Sequence, residues 1–180
     1  MAYIGGIATG FYLFASAPGI HKKTKWQHLT GWDYAHRGLY DNEHGIPENS
    51  MAAFRRAVDK GYGIELDVHL TADNQLVVFH DDTLTRMCGM NKKISSFLYS
   101  DLMQLRLLGT EEGIPLFKDV LELIDGKVPL IIELKVDGSN QNLLCPLVWQ
   151  LLSRYKGDYC IESFHPFVLQ WFKRHEPQVV

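Results

Sequence analysis

Carboxylate side chains recur along this sequence at a spacing that suits metal-assisted chemistry. Glu65 and Asp67 alternate with apolar residues, so they share one face of a predicted strand, because successive strand side chains point to opposite sides. Glu133 and Lys135 repeat the pattern on a later predicted strand. The inward face of a parallel sheet is normally apolar, and buried carboxylates need a partner. Oxygen ligands of this kind suit a hard cation such as Mg²⁺ or Ca²⁺.

The ordinary explanation of such alternation is a strand whose polar face lies in water. That explanation has to be invoked twice here, once for each strand. Two histidines add to the pattern, since His36 and Arg37 end the first predicted strand and His80 and Asp81 end the third. Ionisable side chains at the carboxyl ends of strands are what a βα barrel uses for catalysis.

The chemistry that needs this set of residues is cleavage of a phosphate ester. A divalent cation, Arg37 and Lys135 can stabilise charge on the phosphoryl oxygens, Arg37 through its forked guanidinium. His36 and His80 can divide the roles of general acid and general base. The pattern requires no serine or cysteine nucleophile.

Short apolar runs alternate with segments of helical period from residue 33 onward, which predicts repeated βα units around a parallel sheet. Predicted strands cover 33–37, 64–70, 76–80, 130–135 and 159–164, and predicted helices lie around 50–61, 100–108, 120–124, 143–155 and 166–175. Pro146 should begin or bend its helix. An eight-stranded barrel typically needs about 250 residues. We therefore predict an α/β fold, a TIM (β/α)8 barrel truncated after five to six strands. Its open edges should make residues 1–180 aggregate, dimerise or fold only partly.

The composition is that of a globular domain, with 46% hydrophobic and 22% charged residues, which argues against global disorder. The formal charge of -3 gives no basic stripe for a nucleic acid, so we expect a small phosphate-containing molecule as the partner. The 3 cysteines lack Cys-x-x-Cys spacing, which argues against a disulfide scaffold or a structural zinc.

Residues 1–32 are predicted to form a separate segment ahead of a domain at 33–180. Residues 4–20 carry no charge, and the lysines at 22, 23 and 25 follow. This pattern favours a membrane anchor, with the catalytic domain on the cytoplasmic side. A spanning helix needs about 20 apolar residues, however, and this stretch is shorter and contains four glycines. The alternative is an apolar arm packed on a cytoplasmic domain.

Seven ordered motifs resemble those of the glycerophosphodiester phosphodiesterase family. They are AHRG at 35–38, PENS at 47–50, IELDVHLTAD at 64–73, LVVFHDDTLTR at 76–86, IPLFKDVL at 114–121, IIELK at 131–135 and ESFHP at 162–166. The resemblance implies a TIM-barrel hydrolase that cleaves glycerophosphodiesters to glycerol 3-phosphate and an alcohol. The family's last strands and their aromatic substrate-facing residues are absent from the 180 residues.

The resemblance also implies a role for each matched residue. It implies that one divalent cation, Mg²⁺ or Ca²⁺, is bound by Glu65, Asp67 and Glu133. It also implies that the acid and base are His36 and His80, and that the phosphate is contacted by Arg37 and Lys135. Glu48 would support the metal or His36, or act as a charge at a helix N-terminus.

Two other functions fit the same residues. One is a phospholipase D-type activity on lysophospholipids, which would yield a lyso or cyclic phosphatidic product instead of glycerol 3-phosphate. The other is an inactive barrel fragment that serves as a binding module. A binding module has no need for two inward-facing histidines beside three carboxylates, so we expect an enzyme.

Overall fold

The structure, a computed structural model, describes residues 27–179. Its strands are β1 (Tyr34–His36), β2 (Gly63–Leu70), β3 (Leu76–Val78), β4 (Leu130–Leu134) and β5 (Tyr159–Glu162). Its α-helices are α1 (Met51–Lys60), α2 (Thr85–Cys88), α3 (Tyr99–Leu102), α4 (Phe117–Ile124), α5 (Gln141–Leu152) and α6 (Pro166–His175). Single 3₁₀ turns lie at Asn42–His44, Ile94–Ser96 and Leu107–Gly109.

Four strands form a parallel sheet in the order β1, β2, β4, β5. Within the described residues this sheet is open, with β1 and β5 at its two edges. Helices α1, α4 and α5 follow strands in the chain and connect neighbouring positions, as in the βα units of a barrel. The predicted parallel α/β architecture is therefore confirmed, as a partial barrel.

The predicted direction of the third strand is wrong, because β3 pairs antiparallel with β2. Only five residues, 71–75, connect the two strands. A parallel pair needs a crossover of roughly a dozen or more residues. Thr71 instead closes a tight turn, its backbone N–H donating to Gln75 O at 3.0 Å, with Asn74 at φ 61. The chain therefore folds back along the end of β2.

The main core lies between the outer face of the sheet and the helices. Ile64, Leu66 and Val68 of β2 and Leu130 and Ile132 of β4 are fully buried there. A second, smaller core is formed by the segment between β3 and α4, around Val77, Phe79, Leu84, Met87, Ile94, Leu102, Leu107 and Ile114. The predicted alternation is confirmed, since alternate apolar residues of β2 and β4 face the helices, and the opposite face carries the carboxylates together with Ile131.

Helix boundaries follow local chemistry. Ser50 caps α1, its Oγ accepting the N–H of Ala53 at 3.1 Å, and Gly61 ends the helix in a left-handed conformation. The helix predicted around 100–108 is wrong, because the chain leaves the helix after α3 and reaches Leu108 at φ 52. Pro146 lies inside α5, so the helix does not begin there.

The predicted N-terminal anchor, residues 4–20, lies outside the described residues. Between residues 27 and 179, the structure contains no helix that is both long enough and apolar enough to cross a membrane.

Candidate active site

Three carboxylates meet on the polar face of β2 and β4. The parallel register pairs Asp67 with Glu133, and Glu65 precedes Asp67 by two residues on the same face. One oxygen from each of the three carboxylates lies within 4.8 Å of the others. Asp67 is fully buried and Glu133 nearly so. This cluster contains the same three residues that sequence analysis proposed as metal ligands.

Lys135 follows β4 and lies against two of these carboxylates. Its Nζ is 2.8 Å from Glu133 Oε2 and 3.0 Å from Asp67 Oδ1. The contact with Asp67 lacks hydrogen-bond geometry, so the buried Oδ1 receives no hydrogen bond from the described residues. Three ionised carboxylates face the single ammonium of Lys135, and the Arg37 guanidinium, whose Nε lies 3.8 Å from Asp67 Oδ2, is shared with Glu48. A buried carboxylate cluster that keeps a net negative charge fits a divalent cation.

Repulsion among the clustered carboxylates favours the binding of a proton or a cation. Burial, and then the neighbouring carboxylate of Asp67, raise the pKa of Glu65 to about 7. Burial also raises the pKa of Glu133, against the opposing effect of Lys135. Because close carboxylates disfavour one another's ionised form, a proton or a cation relieves the repulsion. The all-oxygen donor set suits Mg²⁺ or Ca²⁺.

His36 and Arg37 reach this cluster from the end of β1. The backbone N–H of Arg37 donates to Glu65 O at 2.9 Å and to Glu65 Oε2 at 3.0 Å. Arg37 has φ 61, a left-handed conformation that non-glycine residues adopt rarely. His36 Nε2 lies 3.8 Å from Glu65 Oε2, and 65% of the His36 side chain is exposed. His36 thus lies beside the carboxylate cluster and is exposed, so a small molecule can reach it.

The loop before α1 holds Arg37 and Asp67 in place. Asn49 donates from Nδ2 to Asp67 Oδ2 at 2.9 Å, and its backbone N–H donates to Arg37 O at 2.9 Å. Asn49 is itself left-handed, at φ 54. Two non-glycine residues in an uncommon conformation within one loop show that tertiary contacts fix this backbone.

Glu48 lies against two arginines. Its Oε1 accepts from Arg37 Nη1 at 2.8 Å and from Arg86 Nη2 at 2.7 Å, and its Oε2 accepts from Arg86 Nη1 at 2.8 Å. Burial would raise the pKa of Glu48, but the hydrogen bonds from Arg86 and Arg37 outweigh it and lower the pKa to about 2. Glu48 is therefore placed to orient Arg37, a contact that sequence analysis did not propose.

His80 reaches the site because β3 folds back along β2. The N–H of Phe79 donates to Asp67 O at 3.0 Å, which brings the next residue to the level of the carboxylate cluster. His80 Nδ1 lies 2.7 Å from Asp81 Oδ1, and 31% of its side chain is exposed. Since a carboxylate can only accept, the Nδ1 atom carries the proton and Nε2 is left as the acceptor in the neutral ring.

No role was predicted from the sequence for three residues that shape this site: Asn49, Asp81 and Arg86. All three lie inside the motifs of the family resemblance, and Asn49 and Asp81 directly follow Glu48 and His80, for which roles were predicted. The signal for Asp81 was its adjacency to His80, but nothing in the sequence indicated that Arg86 contacts Glu48, 38 residues away.

Comparison with known proteins agrees with this geometry. The glycerophosphoryl diester phosphodiesterase family model matches residues 36–177. The chain belongs to this family. The predicted resemblance is therefore confirmed.

Solved structures of phosphodiesterases are similar to this fold. A phosphodiesterase from Oleispira antarctica, in complex with the product sn-glycerol-3-phosphate, has a TM-score of 0.76 at 26% identity, over 84% of this chain and 65% of that chain. A glycerophosphodiester phosphodiesterase from Parabacteroides distasonis has a TM-score of 0.71 at 33% identity, over 82% of this chain and 62% of that chain.

Curated relatives include proteins with two different enzyme names. A lysophospholipase D of Rattus norvegicus is 32% identical over 172 residues, which cover 88% of this chain and 52% of the relative. A glycerophosphodiester phosphodiesterase of Caldanaerobacter subterraneus is 34% identical over 161 residues, which cover 81% of this chain and 63% of the relative. The chain thus spans between half and two thirds of the length of these family members.

Proposed function

We propose that the protein hydrolyses glycerophosphodiesters to glycerol 3-phosphate and an alcohol, with a bound divalent cation. The observation that carries this proposal is the cluster of Glu65, Asp67 and Glu133, in which one oxygen from each carboxylate lies within 4.8 Å of the others. Arginine and histidine side chains lie around the cluster at the same edge of the sheet. Family membership supports the same reaction class.

In this proposal the three carboxylates hold one Mg²⁺ or Ca²⁺. A divalent cation supplies Lewis-acid stabilisation of negative charge on phosphoryl oxygens. Arg37 presents a guanidinium to the same oxygens, and it is kept in place by Glu48 and by its own backbone hydrogen bonds to Glu65. Lys135 forms ion pairs with Glu133 and Asp67 and thereby reduces the repulsion within the cluster.

His36 and His80 act as the acid and base of the proposed reaction. His80 holds a proton on Nδ1 against Asp81, so Nε2 can accept a proton from the attacking oxygen or, once protonated, return one to the leaving alkoxide. His36, mostly exposed, can perform the complementary transfer. The product sn-glycerol-3-phosphate in the Oleispira antarctica structure supports a glycerol phosphate group as the common part of the substrate.

The test is release of glycerol 3-phosphate from glycerophosphocholine by the full-length protein. We expect turnover that EDTA abolishes and that added Mg²⁺ or Ca²⁺ restores. Glu65→Gln should remove the activity, whereas Glu122→Gln, which changes an exposed carboxylate on α4, should retain it. Turnover that persists in EDTA, or in Glu65→Gln, would contradict the proposed role of the cluster.

A second candidate is lysophospholipase D activity, which the rat relative named for it favours. The same groups would cleave the phosphodiester of a lysophospholipid whose glycerol carries an acyl chain. Parallel assays with glycerophosphocholine and lysophosphatidylcholine separate the two. Glycerol 3-phosphate from the first substrate supports the leading proposal, and lysophosphatidic or cyclic phosphatidic acid from the second supports the alternative.

A further inference from the structure

A continuous chain of hydrogen bonds joins the two sides of the site through Arg86. On one side, Arg86 Nη1 and Nη2 donate to Glu48 at 2.8 and 2.7 Å, and Glu48 in turn holds Arg37 at 2.8 Å. On the other side, Arg86 Nε and Nη2 donate to Asp81 at 2.9 and 3.0 Å, and Asp81 holds His80 at 2.7 Å.

Among the side chains, only arginine, with its guanidinium group, can make this bridge. It has five N–H donors in a fixed plane, so its end can face one carboxylate while its edge faces another. Lysine has the charge but concentrates its donors on a single nitrogen, and it cannot form two forked pairs in fixed directions. The bridge connects α2 with the loop before α1, two segments that otherwise enter the site independently.

We propose that Arg86 is a positioning residue that sets the distance and orientation between Arg37 and His80. Arg86 acts through Glu48 and Asp81. Glu48 orients Arg37 and Asp81 orients His80. The shared guanidinium of Arg86 holds both carboxylates in fixed directions. This inference rests on the proposed function, because it assigns Arg37 to the phosphate and His80 to proton transfer.

Kinetics of the full-length protein on its proposed substrate test this role. Misplacement of a reacting group by about 1 Å can cost about 100-fold, so we expect Arg86→Gln to lower kcat/KM by about 10- to 100-fold. Arg86→Lys should be nearly as impaired, because charge alone does not replace the fork. Arg55→Gln, which changes an exposed arginine on α1, is the matched control and should resemble the wild type.

Double variants separate positioning from a general loss of structure. Glu48→Gln should act mainly on KM and Asp81→Asn mainly on kcat, and Arg86→Gln should change both. Adding Arg86→Gln to either variant should give less than the product of the single effects, because the partners belong to one network. Effects that simply multiply in both cycles, or full activity in Arg86→Lys, would overturn the proposal.

A readout independent of turnover distinguishes this inference from the proposed function. Nitrogen NMR of the His80 ring should show the proton on Nδ1 in the wild type and a mixture of tautomers in Arg86→Gln. An unchanged His80 tautomer together with wild-type kinetics in Arg86→Gln would refute the positioning role while leaving the proposed reaction intact. A wild-type protein without phosphodiesterase activity would instead refute the proposed function.

Discussion

Replacing Gly38 with alanine should destabilise the loop that carries Arg37. Gly38 has φ 79, where an L-residue costs about 1–2 kcal/mol. An added Cβ would lie 2.9 Å from Ala53 Cβ and 3.0 Å from Phe54 Cδ1. Both neighbours are fully buried, so neither can move away easily. Overpacking of this kind adds about 1–3 kcal/mol, which brings the expected loss to about 2–5 kcal/mol.

Gly45→Ala is a matched control for the conformational part of this loss. Gly45 also has φ 79, but a methyl group added there would have no atom within 4 Å among the described residues other than its own residue and its two chain neighbours. It should therefore lose only the left-handed cost of about 1–2 kcal/mol. The difference between the two variants isolates the contact with α1.

Urea denaturation of the full-length variants measures this difference. Gly38→Ala should shift the midpoint further than Gly45→Ala, with an unchanged m value. It should also raise KM, because Arg37 precedes the displaced residue and would contact the substrate phosphate. Equal stability losses in the two variants would refute the argument that Gly38 is required for close approach to α1.

Three further predictions concern the site and its support. His36→Ala and His80→Ala should each lower kcat by roughly 10² to 10⁴, and near-normal turnover in either would show that the histidine is structural. Without metal, folding raises the pKa of Glu65 from 4.5 to about 7, so the folded protein binds this proton more tightly. The protonated carboxyl therefore adds to the free energy of unfolding below pH 4.5, and this contribution is lost as the pH rises through 7. Thermal unfolding in EDTA should show this decline, and Glu65→Gln should show a smaller one, because the pKa of Glu133 is also raised by burial; identical pH profiles would contradict it. Ser50→Ala should cost about 1 kcal/mol of unfolding free energy through loss of the α1 cap, and an unchanged midpoint would show that the cap is dispensable.

The alternation along β2 and β4 predicted the carboxylate cluster, because strand geometry alone puts every second side chain on one face. The direction of β3 was predicted wrongly, since apolar runs look the same in parallel and antiparallel strands. The turn at Thr71 and Asn74 held the missing signal. The partners of Glu48 were also not predictable from spacing, because Arg86 lies in α2 and the chain reaches it only after passing through α1, β2 and β3.

Calorimetric titration of metal into the full-length protein tests the central claim most directly. We expect the wild type to bind one equivalent of Mg²⁺ or Ca²⁺. Asp67→Asn should weaken that binding by at least roughly 100-fold, the upper end of the effect of residues that only support ligands. Glu122→Gln should bind like the wild type. Equal affinity in Asp67→Asn and the wild type would contradict the assignment of the cluster as a metal site.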